Sequence, residues 1–200
     1  MQVKKEDLRE CILDKATEEF LKRGYKEASM RTIAKKAHTT LGNIYNYFKS
    51  KEQLLDAVVG ELPDKLERLL ENQDEHEKNI KDDKEIDRLL DEIDPRVLGI
   101  DIFLNKKFVI LMEGCEHTKH EKYREKLLEL GKKHVLEHMK EDKSYEKFAE
   151  IMAMTFFNGM LFIAKTASSL EEAQANFLKL YKLVCIGLIH QYEREGKSHD

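Results

Sequence analysis

The chain has 200 residues, of which 37% are charged and 41% are apolar, with only two prolines. That length allows one ordinary domain, or a small domain joined to a larger one. Because Glu, Lys and Leu dominate, the composition is typical of long amphipathic helices and predicts an all-α protein. The apolar stretch 151–163 is interrupted by polar residues and the N-terminal segment is charged. We therefore expect a cytoplasmic protein with neither a membrane span nor a secretory signal.

The net charge of −4 conceals a difference between the two parts of the chain. Residues 1–60 carry 12 Lys and Arg against 9 Asp and Glu, a net +3, whereas residues 61–200 carry 23 against 30, a net −7. A nucleic acid needs cations only where its phosphates lie. The acidity of the whole chain therefore does not exclude a nucleic-acid partner for the first sixty residues.

The first helix is predicted from a regular apolar pattern. Leu8, Ile12, Ala16 and Phe20 recur every fourth residue, which places them on one helical face. Gly24 follows at the position where a residue of positive φ would end the helix.

Two short helices are predicted next, separated by a corner at residues 38–39. Ser29 is a suitable N-cap for the second helix, which ends near Ala37. Thr40 is a suitable N-cap for the third helix, whose Ile44 is placed to point inward.

A fourth helix completes the first domain. Ser50 and Gln53 have the spacing of a capping box, and the helix ends before Pro63. We therefore place a first domain at residues 1–60 and a second at residues 61–200.

The second domain contains longer helical patterns. Residues 64–94 are strongly acidic, and Asp94 with Pro95 suits the start of a helix that extends to about Gly114. Further helices are predicted over residues 123–139, over residues 144–166, and from a capping box formed by Ser169 and Glu172. Gly159 and Gly187 lie inside the last two helices, where glycine costs ~1 kcal/mol relative to alanine, so we expect close helix contact there. The wide apolar surface of the last helix predicts a dimer interface.

Residues 29–52 have the pattern of a helix-turn-helix. This motif needs a small residue where its two helices cross, which is Ala34 here. It also needs apolar residues that fix the helix angle, among them Ile33 and Ile44. His38 occupies the corner, where φ is often positive and glycine is usual.

Over residues 12–59 the sequence resembles the tetracycline-repressor (TetR) family of regulators. The matching residues, in order, are Ala16, Phe20, Gly24–Tyr25, Ser29–Ala34, Ala37, Thr40, Gly42–Tyr45, Tyr47–Phe48 and Lys49–Glu52. The resemblance implies an N-terminal three-helix helix-turn-helix domain that binds double-stranded operator DNA. It also implies a larger helical bundle that dimerises and holds an effector pocket.

The start of the third helix has the chemistry that major-groove recognition needs, namely exposed donors and acceptors. Thr39, Thr40 and Asn43 supply short polar side chains there, and Asn43 is the predicted base-reading residue. Leu41 is placed to meet a thymine methyl, and Gly42 allows the helix backbone to approach the duplex.

Phosphate contacts are predicted for Arg31, Tyr45, Tyr47 and Lys51, together with main-chain donors at the helix start after Ser29. The resemblance implies that Tyr45, Tyr47 and Lys51 contact the DNA backbone. For one of the two tyrosines, the alternative is partial burial with the hydroxyl in solvent.

An effector pocket is predicted from Met and Phe side chains, which form adaptable apolar walls. The predicted lining residues are Phe103, Phe108, Met112, Met152, Phe156, Asn158 and Phe162. Packing in the core is the alternative for the apolar members. A buried Asn158 would need a hydrogen-bond partner, either from a ligand or from the opposite subunit.

Other chemistry is not expected. The three cysteines are far apart and lie among apolar residues, which favours core positions over a disulfide framework. His117, His120 and the pair His134 and His138 have a spacing that can bind a metal, but the surrounding charges favour a solvated helix. We therefore predict no metal and no cofactor. Since no catalytic motif is present, we also predict no enzyme activity.

The sequence as a whole predicts a ligand-responsive repressor that binds a palindromic operator as a homodimer. Its effector would be an unknown small molecule that changes the spacing of two recognition helices. The alternative is a DNA-bound interaction protein of the same fold, regulated by a protein partner rather than by a small molecule.

Overall fold

The computed structural model describes residues 2–71, 100–139 and 142–186. Every regular element in these ranges is helical, which confirms the predicted all-α class. The α-helices are α1 (Gln2–Glu27), α2 (Met30–Lys36), α3 (Leu41–Tyr47), α4 (Lys51–Val59), α5 (Leu62–Glu71), α6 (Lys106–Glu113), α7 (Lys122–His138), α8 (Glu146–Thr166) and α9 (Leu170–Tyr181). Short 3₁₀ helices cover Ile100–Ile102 and Lys143–Tyr145, and a π-helical turn covers Lys182–Ile186.

The described residues form two compact units. The first consists of residues 2–65 and 106–124, and the second of the described residues within 66–105 and 125–186. The boundary predicted near Gly60 stays a prediction. The first unit nevertheless draws on a segment, 106–124, that is distant from it in sequence.

The core of the first unit is built from α1, α2, α3, α4 and α6. The predicted apolar face of α1 is confirmed, since Ile12, Ala16 and Phe20 are buried. Helix α6 packs against α1 and α4, and all its residues from 108 to 112 are buried. Burial on every side explains why this short helix carries an uninterrupted apolar run.

Gly24 interrupts α1 as predicted. Its φ of 68° and ψ of 172° lie in a region that is open essentially to glycine alone. One further helical turn follows, to Glu27. Next to this break, the backbone N–H of Tyr25 donates to the carbonyl oxygen of Gly114 at 2.6 Å. The break in α1 therefore also joins α1 to the end of α6.

A second link joins α4 to the segment after α6. His120 is buried, and its Nε2 lies 2.8 Å from Oδ1 of Asp56, while Nζ of Lys119 lies 2.8 Å from Oδ2. Burial alone would raise the pKa of Asp56, but the hydrogen bonds from Lys119 and His120 outweigh it and lower that pKa. Burial raises the pKa of the nearby Cys115 thiol to about 12, so this cysteine is an unreactive core residue.

The second unit has an aromatic core between α8 and α9. The ring of Phe156 packs edge-on against Phe177, with centroids 5.8 Å apart, and against Tyr181 at 6.2 Å. A Cβ added to Gly159 would lie 2.6 Å from a methyl carbon of Leu180. The close helix contact predicted at Gly159 is thus confirmed.

The N-cap halves of both predicted capping boxes form. The backbone N–H of Gln53 donates to Oγ of Ser50 at 3.0 Å, and that of Glu172 donates to Oγ of Ser169 at 3.2 Å. The reciprocal half differs from expectation, because Oε1 of Gln53 accepts from the backbone N–H of Lys49, one residue before the N-cap.

The helix predicted to run from residue 95 to Gly114 is wrong in its continuity. A 3₁₀ helix at Ile100–Ile102 precedes α6, which begins only at Lys106. The side chain of Asn105 donates to the carbonyl oxygens of residues 101 and 102, which takes those acceptors out of a continuous helix.

Some predictions fall on residues outside the described ranges. These are the acidic segment from residue 72 onward, the helix start at Asp94 and Pro95, and the close contact at Gly187.

By length and composition, Lys143–Thr166 is long and apolar enough to cross a membrane, although we expected no such segment. The core helix of a soluble protein passes the same test. Helix α8 buries Ala149, Ala153, Phe157 and Leu161 on one side. It has a second apolar side, which is exposed in the single chain.

Gly24 and Gly42 provide a matched pair for testing backbone strain. We expect Gly24→Ala to lower the free energy of unfolding by about 1 to 3 kcal/mol, because a Cβ strains its backbone conformation. Gly42 lies in α3 with nothing within 4 Å of an added Cβ. Gly42→Ala should therefore leave stability unchanged or raise it by up to about 1 kcal/mol. Urea titration of both variants measures this, and equal losses would contradict it.

The Asp56 carboxylate should make the protein sensitive to acid. Because its pKa is lowered on folding, it stabilises the fold above its ordinary pKa of 3.8, and this contribution is lost as the pH falls through the folded value. We expect Asp56→Asn to be less stable than wild type at neutral pH and to lose less stability below about pH 4. Chemical denaturation across this pH range tests the expectation, with Glu61→Gln as an exposed control; parallel curves for wild type and Asp56→Asn would refute it.

Candidate nucleic-acid interface

Helices α2 and α3 form the predicted helix-turn-helix. Oγ of Ser29 accepts from the backbone N–H of Thr32 at 3.4 Å and caps α2, as predicted. At the corner, His38 has a φ of 50°. This confirms the positive φ expected where glycine is usual. The backbone N–H of Thr39 then donates to the carbonyl oxygen of Ala34 at 3.0 Å, which closes the turn.

Helix α3 has one buried and one exposed side. Oγ1 of Thr40 caps it by accepting from the backbone N–H of Asn43 at 3.1 Å. Ile44 is fully buried, whereas Gly42 and Tyr45 are exposed. The short helix is therefore held on the unit by its apolar side, with its polar side in solvent.

Asn43 lies at the start of α3 with its amide already hydrogen-bonded. Its Nδ2 donates to Oγ1 of Thr39 at 2.9 Å, and its Oδ1 accepts from Nδ2 of Asn46 at 3.4 Å. Both bonds are between side chains near the surface. The amide is thus oriented by its neighbours without being buried.

The structure separates the predicted phosphate contacts into two pairs. Arg31 and Tyr45 are exposed, and Tyr45 is 42% accessible. Tyr47 is half-buried, and its hydroxyl donates to the carbonyl oxygen of Lys5 at 3.2 Å. Lys51 is also half-buried, and its ammonium lies against the end of α1.

Glu19 is a residue of this unit that the sequence analysis missed. Its side chain is 1% exposed, and Nζ of Lys36 on α2 lies 3.1 Å from its Oε2. Nε of Arg23 lies 3.3 Å from its Oε1, an ion-pair distance without hydrogen-bond geometry. Glu19 follows Ala16 by three residues and so shares the buried face of α1, a position that could have been inferred from the helical repeat.

Two cations of α1 also lie close to the end of α3. Nζ of Lys5 is 6.0 Å from the ring centroid of Tyr47, and the guanidinium carbon of Arg9 is 5.7 Å from that of Phe48. No sequence motif identified these residues, because the proximity arises from the packing of α1.

The seven predicted effector residues lie in different environments. Phe108 and Met112 are buried in the first unit, where Met112 also lines a cavity of about 440 Å³ together with Cys115 and Arg124. In the second unit, Phe103, Met152 and Phe156 are half-buried, whereas Asn158 is exposed and Phe162 is 67% exposed. Among the described residues, no group of three or more His, Cys, Asp or Glu side chains is arranged to hold a metal ion.

Comparison with known proteins identifies relatives of the N-terminal segment. Residues 12–58 match the family described as bacterial regulatory proteins, tetR family. The uncharacterized HTH-type transcriptional regulator YhgD of Bacillus subtilis is 42% identical over 52 residues, which are 26% of this chain and 27% of YhgD. The HTH-type transcriptional repressor Rv3405c of Mycobacterium tuberculosis is 36% identical over 73 residues, which are 36% of this chain and 39% of Rv3405c. The chain thus spans well under half of the length of these relatives.

The fold extends the similarity to most of the chain. A TetR-family transcriptional regulator from Bordetella parapertussis matches 90% of this chain and 95% of its own, with a TM-score of 0.58 and 21% sequence identity. At that identity the match concerns the fold alone. Through its residues 12–58 and its all-helical fold, the chain belongs to the tetR family of bacterial regulatory proteins.

Proposed function

We propose that this chain is a transcriptional regulator that binds double-stranded operator DNA from the cytoplasm and has no enzymatic role. The observation that carries the proposal is the outward polar side of α3, a capped helix held by a buried Ile44 within the family-matching segment. A short helix exposed in this way fits the major groove.

Base recognition is proposed for the start of α3. Asn43 can pair with adenine through its amide nitrogen and oxygen once its side-chain hydrogen bonds to Thr39 and Asn46 are exchanged. Thr40 acts chiefly as the N-cap, and the open space around Gly42 supports a close backbone approach to DNA.

Phosphate contacts are proposed for the exposed Arg31 and Tyr45, with main-chain donors near Ser29. These contacts would fix the position of α3 without selecting a sequence. Thr39 and Leu41 would complete the groove-facing surface beside them.

A homodimer is proposed from the exposed apolar side of α8. Phe148, Ile151, Met154 and Phe162 lie on one side of this helix, with exposures from 38% to 67%. A large exposed apolar patch on one helix marks an interaction surface. Asn158 lies on the same side, so an equivalent helix from a second copy would provide the amide with a polar partner.

The finer proposal is a ligand-responsive repressor. Two copies would present their α3 helices to a palindromic operator about 34 to 36 Å apart, and a small molecule would favour one spacing over another. The half-buried Phe103 and Met152 support an effector site in the second unit. Native mass spectrometry of the purified dimer tests this, since a retained small molecule supports it and an empty dimer that requires a protein partner to leave DNA contradicts it.

The DNA-binding proposal is tested by selecting sites from random DNA. We expect recovery of a motif with two-fold symmetry, which will define the operator. Failure to enrich any sequence at moderate salt would contradict the proposal.

Variants at α3 should separate base recognition from phosphate contact. We expect Asn43→Ala to cost about 1 to 3 kcal/mol on the operator and to relax base choice at one position. Tyr45→Ala should weaken binding to operator and random DNA alike. Gly42→Ala should weaken operator binding although its fold is unimpaired. Fluorescence anisotropy measures these affinities, and equal losses on both DNAs for Asn43→Ala would refute its role.

A charge placed on the exposed side of α8 should dissociate the dimer. We expect Phe162→Glu to be monomeric at micromolar concentration, because it would bury an unpaired carboxylate in an apolar contact. Glu129→Lys, which changes an exposed charge on α7, should remain dimeric. Analytical ultracentrifugation distinguishes these states, and a dimeric Phe162→Glu would exclude this surface as the interface.

A further inference from the structure

The ammonium group of Lys51 makes three hydrogen bonds within the chain. Its Nζ donates to the carbonyl oxygens of Tyr25, Lys26 and Ala28 at 2.7, 3.1 and 3.1 Å. A lysine ammonium has three protons, so none is left to donate to a phosphate in this arrangement. The same ammonium lies 4.5 Å from the ring centroid of Tyr25, which adds a cation–π contact.

The accepting carbonyls explain why a cation occupies this position. Gly24 breaks α1, and the last turn ends at Glu27, so carbonyls there lack partners further along the helix. The C-terminal end of a helix also carries partial negative charge. Lys51 neutralises this end from the first position of α4.

Tyr47 makes a corresponding contact near the other end of α1. Its hydroxyl has one proton, which it donates to the carbonyl oxygen of Lys5. Tyr47 is the last residue of α3, and Lys51 is the first residue of α4. The two side chains therefore attach the end of α3 and the start of α4 to opposite ends of one long helix.

We propose that Tyr47 and Lys51 are positioning residues that fix the direction of α3 relative to α1, and that they do not donate hydrogen bonds to DNA phosphate. The proposal rests on the DNA-binding function proposed above. It assigns phosphate contact to residues such as Arg31 and Tyr45, whose side chains are exposed.

Salt dependence distinguishes the two roles. A cation that contacts a phosphate releases a counterion, so its removal lowers the slope of log affinity against log salt by about 0.9. A positioning residue lowers the operator affinity at every salt concentration without changing this slope. It also leaves the affinity for random DNA nearly unchanged, because that affinity comes from phosphate contacts.

The experiment compares Lys51→Met, Lys51→Arg and Tyr47→Phe with Arg31→Gln as the phosphate-contact control. Each full-length variant is titrated with the selected operator and with random DNA between about 50 and 200 mM salt. We expect Lys51→Met to lose about tenfold in operator affinity, the scale of one hydrogen bond to a charged group. Its slope should equal that of wild type, and Lys51→Arg, which retains donors, should recover most of the affinity. Tyr47→Phe should show a smaller loss, also with an unchanged slope.

Other outcomes would overturn the proposal. A slope reduced by about 0.9 for Lys51→Met would show a phosphate contact, and an unchanged operator affinity would show no positioning role. Thermal unfolding establishes that each variant is folded during the assay, and if Lys51→Met is not, the slopes of Lys51→Arg and Tyr47→Phe decide. If the wild type itself does not prefer the operator, the proposed function fails instead.

Discussion

The interaction on which the first unit depends is the closure of the C-terminal end of α1. Gly24 bends the backbone there, the backbone N–H of Tyr25 bonds to Gly114, and Lys51 donates to three carbonyl oxygens within four residues. Three separate parts of the chain, α1, α4 and the end of α6, meet at this point. The direction of α3 depends on it, because only residues 48–50 separate α3 from α4.

Local features of this unit could be predicted from the sequence. Gly24, His38 and Thr40 were assigned their backbone roles correctly, because each depends on a few neighbouring residues. Contacts between distant residues could not be predicted in the same way. His120 meets Asp56 across 64 positions, and Lys51 meets Tyr25 across 26. A residue type does not indicate such partners when one sequence is considered alone.

The predicted effector residues show a related limit. A run of Met and Phe indicates that a helix is apolar but not which of its sides is covered. In α8, Phe157 is buried, Phe156 packs on Phe177, and Phe162 is exposed. These adjacent positions face the core and the solvent in turn, as a period of 3.6 residues requires. The run predicted from composition thus contributes to both a core and an exposed surface.

A structure of the protein bound to its selected operator would test most directly whether α3 is held in position before it meets DNA. The account predicts that Nζ of Lys51 stays on the carbonyl oxygens of residues 25, 26 and 28, and that the hydroxyl of Tyr47 stays on Lys5. It also predicts that the amide of Asn43 exchanges its side-chain bonds for a base edge. Lys51 bonded to a phosphate, with the end of α1 released, would contradict it.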